Sequence, residues 1–552
     1  MVHRFWFVCD DAWISFRFAR NWAAGYGVRY NLGPHVPVEG YSNFLWVALA
    51  AVCEFLGAAP EFWMPVVSCG CALALLLAVY RALTRDLETG REAALLTCAA
   101  LAWSPVFAVW STGGLETMAA ALCLFLCFER WVLAPRETSL TGGCMAALAL
   151  SLLRTEGLFW VAMVAALALL MRTRSGRPFR RLRRGETAAL LGAVFTYAAY
   201  TAWRVHTYHS WLSNTAKVKA DLGLETAGQG LVYAIALLLA LVTPLIFYMG
   251  SWPAVRRHGR RGLALVIMAL APLAYAIIVG GDYMTMGRLF LPALPPATLL
   301  LGIGIDQAFR RFSRKLVLAG MAALLLAGAA PAFDYHLVPR SVRSRFHFRQ
   351  RVKTFRSEYQ QWRYQCANVA RWKEEGLVLR QVTQPGDSYV AGAIGAAGYF
   401  SDLFIYDRGG LVSRDVAERP LAGDRDLKSP GHEKIVPYDF FLDRDPTILK
   451  AALVNRKNLR RQAMKLLRTW RREPRVISRY APRLDPAGDS DSTFLIQLRL
   501  MPEGRSAEKA WAEFPGRVKA LSSAGASQPP ALPRTASASF RLRCLAPGLE
   551  SL

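Results

Sequence analysis

Long apolar stretches alternate with short polar or basic ones along most of the first 335 residues. A helix needs about 20 apolar residues to cross a bilayer, and on that basis hydropathy predicts about ten or eleven spans. They run over Asn43–Ala58, Phe62–Tyr80, Ala93–Trp110, Met118–Ala134, Ala146–Leu153, Leu158–Met171, Ala188–Trp203, Leu231–Gly250, Leu263–Gly280, Leu289–Ile305 and Leu316–Ala332. Three arginine-rich runs lie between spans, Arg172–Arg184, Arg256–Arg261 and Arg310–Lys315. Short basic loops mark the cytoplasmic side, which places 205–229, 281–288 and everything after Ala332 outside. Simple alternation fails in the early part, and the cause is Thr141–Met171, which Arg154-Thr155-Glu156-Gly157 interrupts. Either two short helices meet there at a polar site, or one long helix buries charges.

After Ala332 the pattern changes. Arg340–Arg363 is basic and carries aromatics, as a juxtamembrane helix lying on anionic lipid would. Ser388–Ala393 and Leu403–Asp407 predict strands around a Gly/Ala-rich turn and short helix, without the spacing of a nucleotide loop. The predicted fold is a mainly α polytopic membrane bundle followed by a soluble α/β domain. The predicted domains are 1–335, holding an active-site loop at 9–43, then 336–503, then a low-complexity tail at 504–552.

Composition agrees with two parts. A hydrophobic content of 53% and a mean hydropathy of +0.22 are too apolar for a water-soluble chain and too polar for a bundle throughout. The net charge of +27 is spread over inter-span loops instead of one patch, so nucleic acid is excluded as a partner. Seven of the ten cysteines lie in or beside apolar spans, where cysteine acts as a small hydrophobe, and none has zinc spacing.

Polar motifs gather at span ends. An acidic pair, Asp10-Asp11, precedes every predicted span; its plainest reading is a cap on a helix over Ala12–Ala24. Val38-Glu39-Gly40-Tyr41-Ser42-Asn43, Gly114-Leu115-Glu116-Thr117, Leu153-Arg154-Thr155-Glu156-Gly157, Trp211-Leu212-Ser213-Asn214-Thr215-Ala216-Lys217 and Gly281-Asp282-Tyr283-Met284 with Gly287-Arg288 follow. Each alone reads as interface chemistry, with belt aromatics and snorkelling arginines. Together they mix acids suited to activating an acceptor with cations suited to a phosphate.

In this order the motifs resemble the GT-C membrane glycosyltransferases, nearest the group of the mycobacterial terminal arabinofuranosyltransferase and its Gram-negative relatives linked to flagellar motor control. Gly395-Ala396-Ala397-Gly398-Tyr399-Phe400-Ser401-Asp402, Asp407-Arg408-Gly409-Gly410-Leu411 and Pro430-Gly431-His432-Glu433-Lys434 extend the resemblance into the soluble part. Two departures stand out. Ser213 and Thr155 occupy positions where proline is usual. Family members carry a transmembrane helix ahead of the acidic pair; its lack here implies a start placed too far downstream, or a truncated and inactive chain.

The resemblance implies a multi-pass enzyme of the bacterial inner membrane with its C-terminal domain extracytoplasmic. It would move a pentose or hexose from a polyprenyl-phosphate donor to a cell-envelope glycan or lipid acceptor, with inversion. Asp10 or Asp11 is then the expected general base. Arg288, Lys217 and Arg154 are expected at the donor phosphate, and Glu39, Glu116, Glu156, Asn214 and Asp282 at sugar or acceptor hydroxyls. No cofactor is required; a divalent metal on Asp10 and Asp11 is the second choice, because two carboxylates are a thin ligand set. The competing functions are a non-catalytic envelope protein and a lipid-linked sugar transporter, the latter lacking the internal repeat expected of it.

Overall fold

The computed structural model describes residues 1–33, 35–134, 139–173, 182–219, 223–241, 246–349, 354–419, 434–471, 474–487, 493–502 and 507–523. Most of the Pro430–Lys434 motif, the 504–506 stretch and the tail beyond 523 lie outside them.

The N-terminal part is a helical bundle. Among the described residues, five helical stretches are long and apolar enough to cross a membrane: Pro60–Asp86, Leu224–Leu241, Arg260–Ile278, Thr285–Arg311 and Arg314–Phe333. Phe44–Phe55, Thr141–Leu153 and Gly157–Met171 are shorter apolar helices. Their outward faces expose Phe55, Leu73 and Leu326, and the helix Arg184–Tyr208 likewise exposes Phe195; such apolar surface is stable only against lipid. The chain is a membrane protein.

Three predicted spans differ in detail. Ala93–Trp110 is broken at Ser104-Pro105 into helices Arg91–Trp103 and Pro105–Trp110, since proline disfavours a helical residue before it. Met118–Ala134 ends in a wider turn over Glu129–Leu133. Thr141–Met171 is two helices: Arg154 leaves the first with φ −145° and ψ 138°, and Gly157 opens the second. A side chain at Gly157 would meet the Leu150 carbonyl at 2.2 Å.

The C-terminal part is a five-stranded sheet: β1 (Ser388–Ala391), β2 (Phe404–Asp407), β3 (Ile448–Asn455), β4 (Tyr480–Pro486) and β5 (Thr493–Leu500). The order is β2-β1-β3-β5-β4, with β1 parallel to β2 and β3 and the remaining pairs antiparallel. The helix Glu358–Val382 leads into it, with Ser357 and Gln360 forming a capping box.

Between bundle and sheet lies the helix Asp10–Ala23, nine of whose residues are buried, including Arg17 and Asn21. Arg17 donates to the carbonyls of Tyr30 at 2.9 Å and Gly398 at 2.7 Å, and to that of Leu403. Asn31 pairs through its amide with both backbone groups of Ile405, each at 2.9 Å, covering the edge strand β2. Buried charge is tolerated here because each guanidinium edge finds a backbone acceptor.

Among its described residues the Arg340–Arg363 segment is not one helix: Arg340–Arg343 and Ser344–Phe346 are short turns, and Glu358 opens a separate helix. Arg349 and Glu358 are buried and paired at 2.7 Å, so part of this segment plugs into the bundle.

Candidate active site

The acidic pair sits at the first turn of the Asp10–Ala23 helix, and Cys9, not either aspartate, occupies the N-cap position. Successive helical residues lie about 100° apart, so the two carboxylates diverge. Asp10 accepts from the backbone N–H of Gly395 at 3.2 Å and Ala396 at 2.8 Å. It caps a helix after all, but one from the soluble domain, Ala396–Ser401. Burial pushes its carboxyl up to about 7, opposed by those two amides. The glycines of this motif permit close approach: a side chain at Gly395 would meet the Asp10 carbonyl oxygen, and one at Gly398 the Tyr30 hydroxyl, each at 1.9 Å.

Asp11 faces the other way. Its Oδ1 accepts from the Tyr283 hydroxyl at 3.1 Å. The next turn of that loop carries Asp282, whose Oδ2 accepts from Arg288 Nε at 2.7 Å, both side chains buried. The loop is bent to make this possible, with Met286 at φ 54° and Gly287 at φ 61°. A non-glycine residue in the left-handed region costs roughly 1 kcal/mol or more, and surrounding bonds hold it there. The Met286 N–H donates to Glu358 Oε2 at 2.6 Å, and Arg349 donates to the carbonyls of Tyr283 and Met284, each at 2.9 Å.

A second cluster adjoins the first. Arg154 donates to Glu116 at 2.6 Å and to Glu156 at 2.6 Å. Glu116 also accepts from Asn43 at 2.7 Å, and Asn43 exchanges hydrogen bonds with Ser15 on the helix that bears the acidic pair. Arg154, Glu156 and Arg288 line one cleft, together with Trp160, Tyr275 and the apolar Leu289. Trp110 lies under the Arg288 guanidinium at 5.8 Å.

The other expected site residues lie elsewhere. The buried Glu39 is 3.7 Å from Arg204, and burial pushes its carboxyl up to about 7 against that cation. Its carbonyl accepts from the Asn214 N–H at 3.0 Å, while the Asn214 side chain donates to the Gly410 carbonyl at 2.8 Å. Lys217 pairs with the exposed Glu418 at 3.0 Å and is not among the residues lining the cleft. These three form a seam with the soluble domain.

Among the described residues, no group of three or more His, Cys, Asp or Glu is placed to hold a metal ion. Asp10 and Asp11 reach different partners, so they do not fit a shared metal. Sequence reasoning missed Tyr283 and Asn43 as site residues although both lie inside the motifs. It missed Arg349 and Glu358 altogether, because nothing in a basic stretch signals a buried pair.

Comparison with solved structures places this architecture. The chain is similar to ArnT from Cupriavidus metallidurans in the apo state, at 14% identity and a TM-score of 0.56, over 90% of this chain and 95% of that one. The chain has the ArnT fold. The similarity to ArnT bound to undecaprenyl phosphate is 13% identity and a TM-score of 0.55 over the same shares. A family model described as a domain of unknown function (DUF8728) matches residues 353–494, which include all of β1–β4 and the Glu358–Val382 helix. No curated protein matches the chain. The likeness spans most of the chain, bundle and C-terminal part together.

Proposed function

We propose that the chain is a membrane glycosyltransferase that takes its sugar from a polyprenyl-phosphate donor, with Asp11 as general base. The observation that carries this reading is one cleft lined by two arginines, with the Asp11 carboxylate tied to the loop that bears one of them. Asp11 is linked through Tyr283 to the Asp282–Arg288 loop, and Arg288 and Arg154 line the cleft together. An ArnT structure holds undecaprenyl phosphate, and a shared fold makes that class of donor a reasonable one to carry over.

The chemistry needs little acid help, because the departing phosphate diester becomes a stable monoester. The acceptor hydroxyl gives its proton to Asp11 while its oxygen bonds to the anomeric carbon from the face opposite the phosphate. The bond from that carbon to the phosphate oxygen breaks, and the leaving polyprenyl phosphate gains one negative charge. Arg288 and Arg154 meet that charge; held rigidly by Asp282, Glu116 and Glu156, they need no reorganisation when it develops. Asp10 is unsuited to the base role, since its oxygens already accept two amides. Its part is to hold the soluble domain against the helix that presents Asp11. Glu116, Glu156 and Asp282 orient the arginines and offer carboxylate oxygens to sugar hydroxyls. The acceptor is an envelope glycan or lipid, and the sugar a pentose or hexose.

The test is to reconstitute the full chain and supply a panel of polyprenyl-phosphate pentoses and hexoses with envelope extracts as acceptor. Release of polyprenyl phosphate coupled to labelled product supports the reading. Hydrolysis or transfer by none of the donors, in membranes where the protein is folded, would overturn it.

A further inference from the structure

A second cavity lies at the junction of the Leu224–Leu241 helix with the segment that follows the last span. Its lining combines three arginines, Arg343, Arg349 and Arg356, with apolar residues such as Ala240 and Phe348, and Glu358 is the one acid among the described lining residues. Glu358 is committed to Arg349 at 2.7 Å and 3.1 Å. Arg343 and Arg356 each keep a buried terminal N–H, Nη1, with no hydrogen-bond partner. Arg343 is 7% exposed, and its Nε is used by the Val338 carbonyl at 2.9 Å.

Leaving a buried donor unpaired is unfavourable, and more so for a charged group. Two such cations facing one acid are therefore costly unless something fills the space. Aromatic rings already cover guanidinium faces: the Phe355 ring lies 5.5 Å from Arg343, and the Tyr364 ring 3.7 Å from Arg356. Stacking occupies the faces and leaves the in-plane N–H edges as donors, the geometry by which guanidinium recognises an oxyanion.

We propose that this cavity is a binding site for a phosphate group, held by Arg343 and Arg356. Three arginines against one glutamate leave two positive charges, which suits a tetrahedral oxyanion better than a single carboxylate. The same group could arrive on a phospholipid headgroup or as free phosphate, and the apolar wall of Ala240 and Phe348 accommodates the first. The site is separate from the cleft and does not rest on the transfer reaction. Its occupant would touch the Arg349–Glu358 pair that braces the loop bearing Asp282 and Arg288.

The full chain in phosphatidylcholine nanodiscs tests this. Inorganic phosphate is titrated in one arm and phosphatidylglycerol is mixed into the discs in another, with the thermal unfolding midpoint and native mass spectrometry as readouts. One or both anions should raise the midpoint and appear bound, protection by phosphatidylglycerol alone marking a headgroup and protection by phosphate marking the free ion. Arg343→Gln with Arg356→Gln should weaken that binding at least about tenfold, the scale of losing one charge-assisted bond, whereas Arg288→Gln should leave it in place. If the double variant does not fold, Arg356→Lys, which keeps the charge and loses the planar edge, must still weaken binding. Protection by neither anion overturns the proposal. So does protection that survives in the arginine variants, or that Arg288→Gln abolishes.

Discussion

The cleft and the seam are built from the same residue types and end in opposite states. In the seam, Asp10, Arg17 and Asn214 spend their hydrogen bonds on backbone groups of the soluble domain, at Gly395, Ala396, Gly398, Leu403 and Gly410. Arg288, Arg154 and Glu156 line the cleft and bond to side chains, with Asp282 and Glu116 behind them and Asp11 held by Tyr283. A polar group satisfied by backbone is fixed and serves docking. A charged group held by another charge at the edge of a cavity can exchange that partner for a ligand. Asp10, Arg17 and Asn214 differ from Arg288 and Arg154 in their partners, not in their chemistry.

The comparison can be broken by variants on either side. The largest effect is expected in the cleft. Arg288→Gln should lower transfer by about 10²–10³-fold, the range for losing one preorganised donor to developing charge, with Arg154→Gln similar. Product formation in proteoliposomes measures this, and transfer within twofold of wild type would remove the phosphate role.

In the seam the effect should be on stability. Gly395→Ala must push against the Asp10 backbone, at roughly 1–3 kcal/mol for overpacking. Faster proteolysis of the soluble domain, without a change in the bundle's detergent stability, reports it.

A pH series sharpens the same point. Asp10 has a folded-state pKa raised to about 7 from an ordinary 3.8. The folded protein therefore holds a proton that the unfolded chain releases. The contribution of Asp10 to stability is full below pH 3.8 and is lost as pH rises through about 7. Asp10→Asn should flatten that fall in the unfolding midpoint between pH 4 and 7. A slope identical to wild type would show that Asp10 is not titrating there.

The smallest effect belongs to Lys217. Its pair with the half-exposed Glu418 is of the kind worth at most about 1 kcal/mol. Lys217→Ala should leave transfer unchanged, and a loss of tenfold would move it back into the cleft.

Hydropathy made the membrane part legible because lipid imposes one rule on every span. The motif order likewise pointed to the fold that the ArnT comparison supports. What stayed hidden was partner choice. Asp10 and Asp11 are adjacent in sequence, but a helical turn sends one to the soluble domain and the other to Tyr283. Lys217 and Arg288 look alike as cations at span ends, and only the folded chain separates them. Arg349 and Glu358 sit in a stretch so basic that it reads as lipid-facing; their burial depends on the loop at Met284–Met286, whose carbonyls and N–H need them. The break at Arg154 was readable as one of two options, and the polar bonds to Glu116 and Glu156 explain why the interruption wins over a continuous helix.

The most direct measurement compares Asp11→Asn with Asp10→Asn in the same membranes, with the same polyprenyl-phosphate sugar, after both variants have been checked for folding. Loss of a general base costs about 10²–10⁴-fold. The account predicts that loss for Asp11→Asn, with Asp10→Asn keeping most of its transfer. Full activity in Asp11→Asn, or the loss appearing in Asp10→Asn instead, would contradict it.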